Sequence, residues 1–231
     1  MKDEYLALLK RIIGEDAVIL SELVGGMMNE AYIVESNKGK FVYYISTPQA
    51  NEMVDRKLEK TTQNIAFNLG LTSENVYFDL EKGIKINRYI EGDSLNHISD
   101  FDYAKVADLM VKYHSSKDKS NVYYNPLGRL ESYMKEASQF VNDFGYDFKV
   151  FLKIIEDNKE FLLSQERTLA HNDAQRSNIL VDAEDNYWII DFEFMANNDP
   201  YYDVATFGNG CSGVFPPVGP FSCISSIYSL S

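Results

Sequence analysis

The chain has 231 residues, a formal net charge of −13 at pH 7, 45% hydrophobic and 25% charged side chains. That length supports a sizeable core in one two-lobed domain or two small ones, and the composition is that of an ordinary soluble globular protein. The acidity argues against nucleic acid, whose phosphates would repel it, and suits a cationic substrate. No apolar run approaches the ~20 residues a membrane helix needs. The Met-Lys-Asp-Glu-Tyr start lacks a secretory pattern, and two cysteines near the C-terminus offer neither a disulfide framework nor a metal site. The expectation is a cytoplasmic protein, with no nucleic acid or membrane among its partners and an oligomeric state the residues leave open.

Residues 3–13 predict a short helix with Leu6, Leu9 and Ile13 on one face. Strand-like runs follow at 17–23, 31–35 and 41–46. Between the first two lies Gly25-Gly26-Met27-Met28-Asn29-Glu30, a loop that is either a plain hairpin turn or one whose backbone approaches phosphate oxygens unobstructed. Residues 50–68 predict one helix containing Asp55-Arg56-Lys57-Leu58-Glu59, and runs at 76–80 and 84–90 complete a five-stranded sheet. Glu91-Gly92-Asp93 is a polar turn between lobes. Val106, Leu109, Met110 and Tyr113 at i, i+3, i+4, i+7 give a buried helical stripe. Leu130, Tyr133, Met134 and Ala137 repeat it, as do Phe151, Ile154 and Ile155 in a third helix.

The chemistry sits in Leu169 to Phe194. A polar loop, His171-Asn172-Asp173-Ala174-Gln175-Arg176-Ser177-Asn178, is followed by two short apolar runs, 179–182 and 187–190. They flank Ala183-Glu184-Asp185-Asn186, a turn rich in turn formers, so a hairpin brings Asp191 back to the loop. Asp173, Asn178 and Asp191 then converge. An Asp, an Asn five residues on, a hairpin and a second Asp form the arrangement of protein kinases. There the first Asp receives the substrate hydroxyl proton, and the Asn and second Asp hold magnesium.

His171-Asn172-Asp173 with Asn178, then Ile190-Asp191-Phe192-Glu193-Phe194, resembles the choline/ethanolamine kinase family. Asn198-Asp199-Pro200-Tyr201-Tyr202-Asp203-Val204-Ala205 fits its bacterial choline kinases especially well. Aminoglycoside phosphotransferases share the architecture but usually carry Gly where Asn172 stands. The resemblance covers about residues 14–207. It implies an α+β, two-lobed protein kinase-like fold: a nucleotide-binding lobe over residues 1–90 (antiparallel sheet plus helix), and a mainly helical catalytic lobe over 91–203. It implies ATP and Mg²⁺ as cofactors and a small amino alcohol, choline foremost, as substrate. Ethanolamine, an aminoglycoside, or a degenerate nucleotide-binding module with little turnover are the alternatives.

By the same resemblance Asp173 is the catalytic base, with His171 ordering its loop, and Asn178 and Asp191 are the metal ligands; Glu193 is either a second metal ligand or a loop anchor. Gly25, Gly26 and Asn29 cover the phosphates, Arg88, Tyr89 and Ile90 face the adenine, and Asp203 ties the loop to the following helix. Phe194, Tyr201 and Tyr202 follow the metal site and are either part of an aromatic wall for a substrate cation or lobe-packing residues. Glu59 matches the helix glutamate that pairs with a strand cation. Tyr44 stands where that strand carries Arg or Lys, leaving Lys40 and Lys85 as substitutes. After Asp203 the character changes: residues 204–231 hold no charged side chain, both cysteines and three of the six prolines. The expectation is an atypical tail replacing the family's last helices, an apparently truncated fold, and, with Tyr44, a poor catalyst.

Overall fold

In the strand Gly39–Ser46 (β3), Phe41, Tyr43 and Ile45 share one face and Val42 and Tyr44 the other, as a period of two requires. The computed structural model, which describes residues 2–23, 29–141 and 148–209, builds β3 into an antiparallel sheet. On one side of β3 lie β2 (Asn29–Ser36) and β1 (Val18–Leu23), and on the other β5 (Ile84–Arg88) and β4 (Asn75–Asp79). The order is β1-β2-β3-β5-β4, the five strands expected. Helix α1 (Asp3–Ile13) buries Leu9 and Ile13 against the face carrying Phe41, Tyr43, Ile45, Ile84 and Ile86. Each such side chain taken from water contributes about 1.5–3 kcal/mol. The other face carries Tyr44 and Lys85, opposite one another in the β3–β5 register.

The single helix expected over 50–68 is two: α2 (Pro48–Met53) and α3 (Arg56–Asn68). Both starts are capped. Thr47 accepts from the Ala50 amide, with Pro48 in the first turn, and Asp55 accepts from the amides of Lys57 and Leu58. The cap at Asp55 restarts the helix and swings Glu59 beneath the sheet.

The second lobe contains β6 (Gly92–Ser94), α4 (Tyr103–His114), α5 (Pro126–Ala137), α6 (Phe148–Asp157) and α7 (Lys159–Ser164). After these come β7 (Thr168–Ala170), a 3-10 turn (Arg176–Asn178), β8 (Ile179–Asp182), β9 (Tyr187–Ile189), β10 (Ala196–Asn198) and α8 (Tyr201–Asn209). The stripe on α4 is buried as expected, against Leu169, Ile179, Ile189, Phe192 and Met195. That expected on α5 is not, since α5 buries no residue, and on α6 Ile154 is 54% exposed. Periodicity reports the polarity of a helix face, which does not ensure a neighbour packed on it. Val204 and Phe207 of α8 enter the same core as α4, so the helical lobe continues past Asp203 rather than giving way to a tail at 204. Residues 210–231, the rest of that uncharged stretch, lie outside the described residues, as do Gly25 and Gly26. Among the described residues no helix is long and apolar enough to cross a membrane.

Candidate active site

Strand β7 delivers His171, Asn172 and Asp173 to the foot of the helical lobe, where the fully buried Asp203 of α8 fixes them. One Asp203 oxygen, Oδ1, accepts from the Asn172 amide at 2.7 Å. The other accepts from the His171 amide at 2.8 Å, the Tyr113 hydroxyl at 3.0 Å and the His114 ring at 3.0 Å. Burial alone would raise this carboxyl. The hydrogen bonds from the His114 ring and the His171 amide more than offset that and hold it below the usual carboxylate range. Asp203 therefore ties the loop to α8, and His114 has a structural partner in it.

Asn172 has φ +64°, a left-handed conformation that favours Gly or Asn. Its Nδ2 donates to the carbonyls of Ala170 and Phe194 at 3.1 and 2.8 Å, and its Oδ1 accepts from Asn198 at 2.7 Å. The His171 ring donates through Nε2 to the Ile190 carbonyl at 3.0 Å, and burial lowers its pKa, which keeps it neutral. It braces the residue preceding Asp191.

Asp173 and Asn178 meet directly. The Asn178 Nδ2 donates to Asp173 Oδ2 at 3.0 Å and to the Asp173 carbonyl at 2.9 Å, while Gln175 holds Asp173 Oδ1 at 2.6 Å. The hairpin closes beside them, with the Ile190 amide on the Asn178 carbonyl at 2.9 Å. Asp191 follows at φ +68°, a strained conformation for a non-glycine residue. Its Oδ1 is shut away from solvent without a hydrogen-bond partner. Burial first, then the charge of Glu193, pushes its carboxyl up to about 7, against the lowering effect of Lys85. A buried carboxylate oxygen with no hydrogen-bond partner is a ready ligand for a hard cation. Among the described residues no three His, Cys, Asp or Glu side chains form a metal cage. A magnesium ion, held by one or two carboxylates plus phosphates, does not need one. The donor set therefore fits magnesium.

From the upper lobe Glu59, fully buried on α3, reaches the same place. Of the two lysines expected to stand in for the strand cation that Tyr44 replaces, Lys85 is the one that reaches Glu59. Lys85 Nζ of β5 pairs with Glu59 Oε1, and Arg56 Nη1 with its Oε2 at 2.7 Å. The cause is the sheet register, which sets Lys85 opposite Tyr44 on the face toward α3. Lys40 is turned elsewhere, toward Glu91 at 3.7 Å. Burial would raise the Glu59 carboxyl, but Lys85 and Arg56 lower it below its ordinary value. Arg56 also meets Glu193 Oε1 at 3.1 Å, and Asn29 donates to that oxygen at 2.7 Å. Glu193 thus joins the Asn29 end of β2 to α3. A cleft of about 290 Å³ opens between the lobes, lined by Val42, Tyr44, Arg88, Tyr89, Ile90 and Asp191 among others. The three residues expected near adenine and one expected metal ligand therefore share one cavity.

The sequence pattern of the family described as Choline/ethanolamine kinase matches residues 20–226. The chain belongs to the choline/ethanolamine kinase family. It is 25% identical over 193 residues to Protein LicA of Haemophilus influenzae, an alignment covering 79% of this chain and 56% of that protein. The chain thus spans little more than half the length of that relative. Its fold is that of the choline kinase LicA from Streptococcus pneumoniae, with a TM-score of 0.75 at 22% identity over 92% of this chain and 76% of that one. A LicA in complex with AMP gives 0.74 at 21% identity, covering 97% and 80%. These likenesses establish the two-lobed α+β kinase-like fold.

In this choline/ethanolamine kinase family member the three aromatic residues expected at the substrate differ in their surroundings. Phe194 carries the Arg129 guanidinium of α5 on its face, 3.4 Å from the ring centroid. Tyr202 packs on Tyr124, with centroids 5.5 Å apart, and Tyr201 is 52% exposed. Arg129, Tyr124 and the pairing of Arg56 with Glu193 went unread in the sequence, because each joins segments far apart in the chain. The one available signal was Lys85, a charge between two apolar strand residues, which period two sends to the opposite face from Ile84 and Ile86.

Proposed function

We propose that this chain transfers the γ-phosphoryl group of ATP to the hydroxyl of a small amino alcohol, choline foremost. The observation that carries the reading is the direct Asp173–Asn178 contact beside an Asp191 whose inner oxygen has no partner. Asp173 orients the acceptor hydroxyl and takes its proton as the oxygen attacks the γ-phosphorus, and ADP departs; such base assistance is worth ~10²–10⁴-fold. Asn178 through Oδ1 and Asp191 would hold magnesium. When bound, that ion would offset the charge that builds on the phosphoryl group toward the transition state. Glu193 uses Oε1 to anchor the lobes, leaving its other oxygen for the metal. Asn29 and the adjoining Gly25-Gly26 segment cover the phosphates, and Arg88, Tyr89 and Ile90 line the adenine end of the cleft.

Choline is favoured among acceptors because a quaternary ammonium is attracted to aromatic faces. Arg129 occupies one face of Phe194, so Tyr201, 52% exposed, and Tyr202 next to it would supply the aromatic faces. The AMP-bound LicA relative supports an adenine nucleotide as donor. The test is direct: incubate the chain with ATP, Mg²⁺ and, separately, choline, ethanolamine and an aminoglycoside, and follow phosphorylated product by ³¹P NMR. Phosphocholine should accumulate fastest. No phosphorylated alcohol from any acceptor would end the reading.

A further inference from the structure

Tyr44 lines the cleft but brings no positive charge, and burial, which pushes its hydroxyl up to about 12, keeps it neutral. The strand beside it does bring one. We propose that Lys85 on β5 supplies the phosphate-directed cation of this site in place of a basic residue on β3. This rests on the phosphotransfer reading above.

Three observations support it. Tyr44 and Lys85 are Cα partners in the β3–β5 register, so their side chains leave the sheet on the same face. Neighbouring strands lie about 4.8 Å apart, a gap that a lysine's four-carbon stem spans. The Lys85 ammonium reaches across it, 4.8 Å from the Tyr44 ring centroid and paired to Glu59, the helix glutamate of the resemblance. Finally, its charge is felt by Asp191 and Glu193 as well as Glu59. A lysine that merely neutralised Glu59 would be superfluous, because Arg56 already holds the other Glu59 oxygen at 2.7 Å. In a site shielded from water a charge one strand away still acts strongly, because the local dielectric is low.

The experiment compares ATP with AMP, which lacks the β- and γ-phosphates, by calorimetric titration without any acceptor. For Lys85→Met, ATP should bind about tenfold or more weakly, the loss of one charge-assisted contact, while AMP stays within about twofold. Adding Tyr44→Lys to that variant should recover most of the ATP affinity and leave AMP unaffected. Equal losses for the two nucleotides, no loss for either, or no recovery in the double variant would overturn the assignment. Should Lys85→Met fail to fold, the double variant, which keeps a cation on this face, stands alone. ATP binding within about threefold of the unmodified chain supports the assignment, and weaker binding overturns it. Failure of the unmodified chain to bind any adenine nucleotide would instead sink the phosphotransfer reading, and Lys85 with it. Nucleotide binding without alcohol phosphorylation would sink the acceptor reading and leave the Lys85 comparison intact.

Discussion

Asp203→Asn should loosen the catalytic loop more than its single-atom change suggests. The carboxylate accepts from two backbone amides, a tyrosine hydroxyl and a histidine ring, all buried. An asparagine offers one accepting oxygen and sets its NH₂ against at least the Asn172 amide. One unsatisfied buried donor costs about 1–3 kcal/mol, and the remaining bonds lose their charge assistance, so ~3 kcal/mol is expected. For a chain of this size that corresponds to a melting temperature lower by about 6–12 °C. The assay is thermal unfolding by circular dichroism, repeated as the pH is lowered. Because the folded Asp203 carboxyl lies below its ordinary 3.8, its stabilisation is present above that value and is lost as pH falls through the folded value. Below it the protonated Asp203 resembles the asparagine, so the gap between parent and variant should shrink in acid. A gap under about 2 °C at pH 7, or one that persists in acid, would refute the role given to Asp203.

Asp173→Asn should cut phosphoryl transfer by ~10²-fold or more while ATP affinity stays within a few-fold, as steady-state kinetics and titration would reveal. Unchanged turnover would remove Asp173 as the base. At Asn172, the left-handed backbone predicts the melting order Asn, then Gly, then Leu. Glycine loses the Nδ2 bonds, and leucine adds about 1–3 kcal/mol of strain as well. A leucine variant as stable as the glycine one would contradict that order.

Much of this was readable because local signals agreed. The upper sheet announced itself in β-branched and aromatic runs, and the hairpin carrying Asp191 in its turn formers. The Asp173–Asn178 contact follows from spacing within one loop. Strands β6, β7 and β10 were invisible, since three residues are too few to display a period of two. The break between α2 and α3 was legible only as caps, Thr47-Pro48 and Asp55, which a continuous apolar pattern hid. Sequence narrowed the partner of Glu59 to Lys40 or Lys85 but could not choose between them. The choice depends on which residue of β5 faces Tyr44, and that is set by pairing across 41 positions of chain. Ile154, exposed on α6, carries the complementary lesson, that an amphipathic sequence names a face without naming what covers it.

The most direct test of one convergent phosphotransfer centre is a crystal structure with a non-hydrolysable ATP analogue and Mg²⁺. The triphosphate should lie in the cleft bounded by Tyr44 and Asp191, with Asn178 and Asp191 oxygens about 2.0–2.1 Å from a metal. Asp173 should face the terminal phosphate from the acceptor side. A nucleotide bound in that cleft with Asn178 and Asp191 both turned away from its phosphates, or bound elsewhere on the chain, would contradict the account.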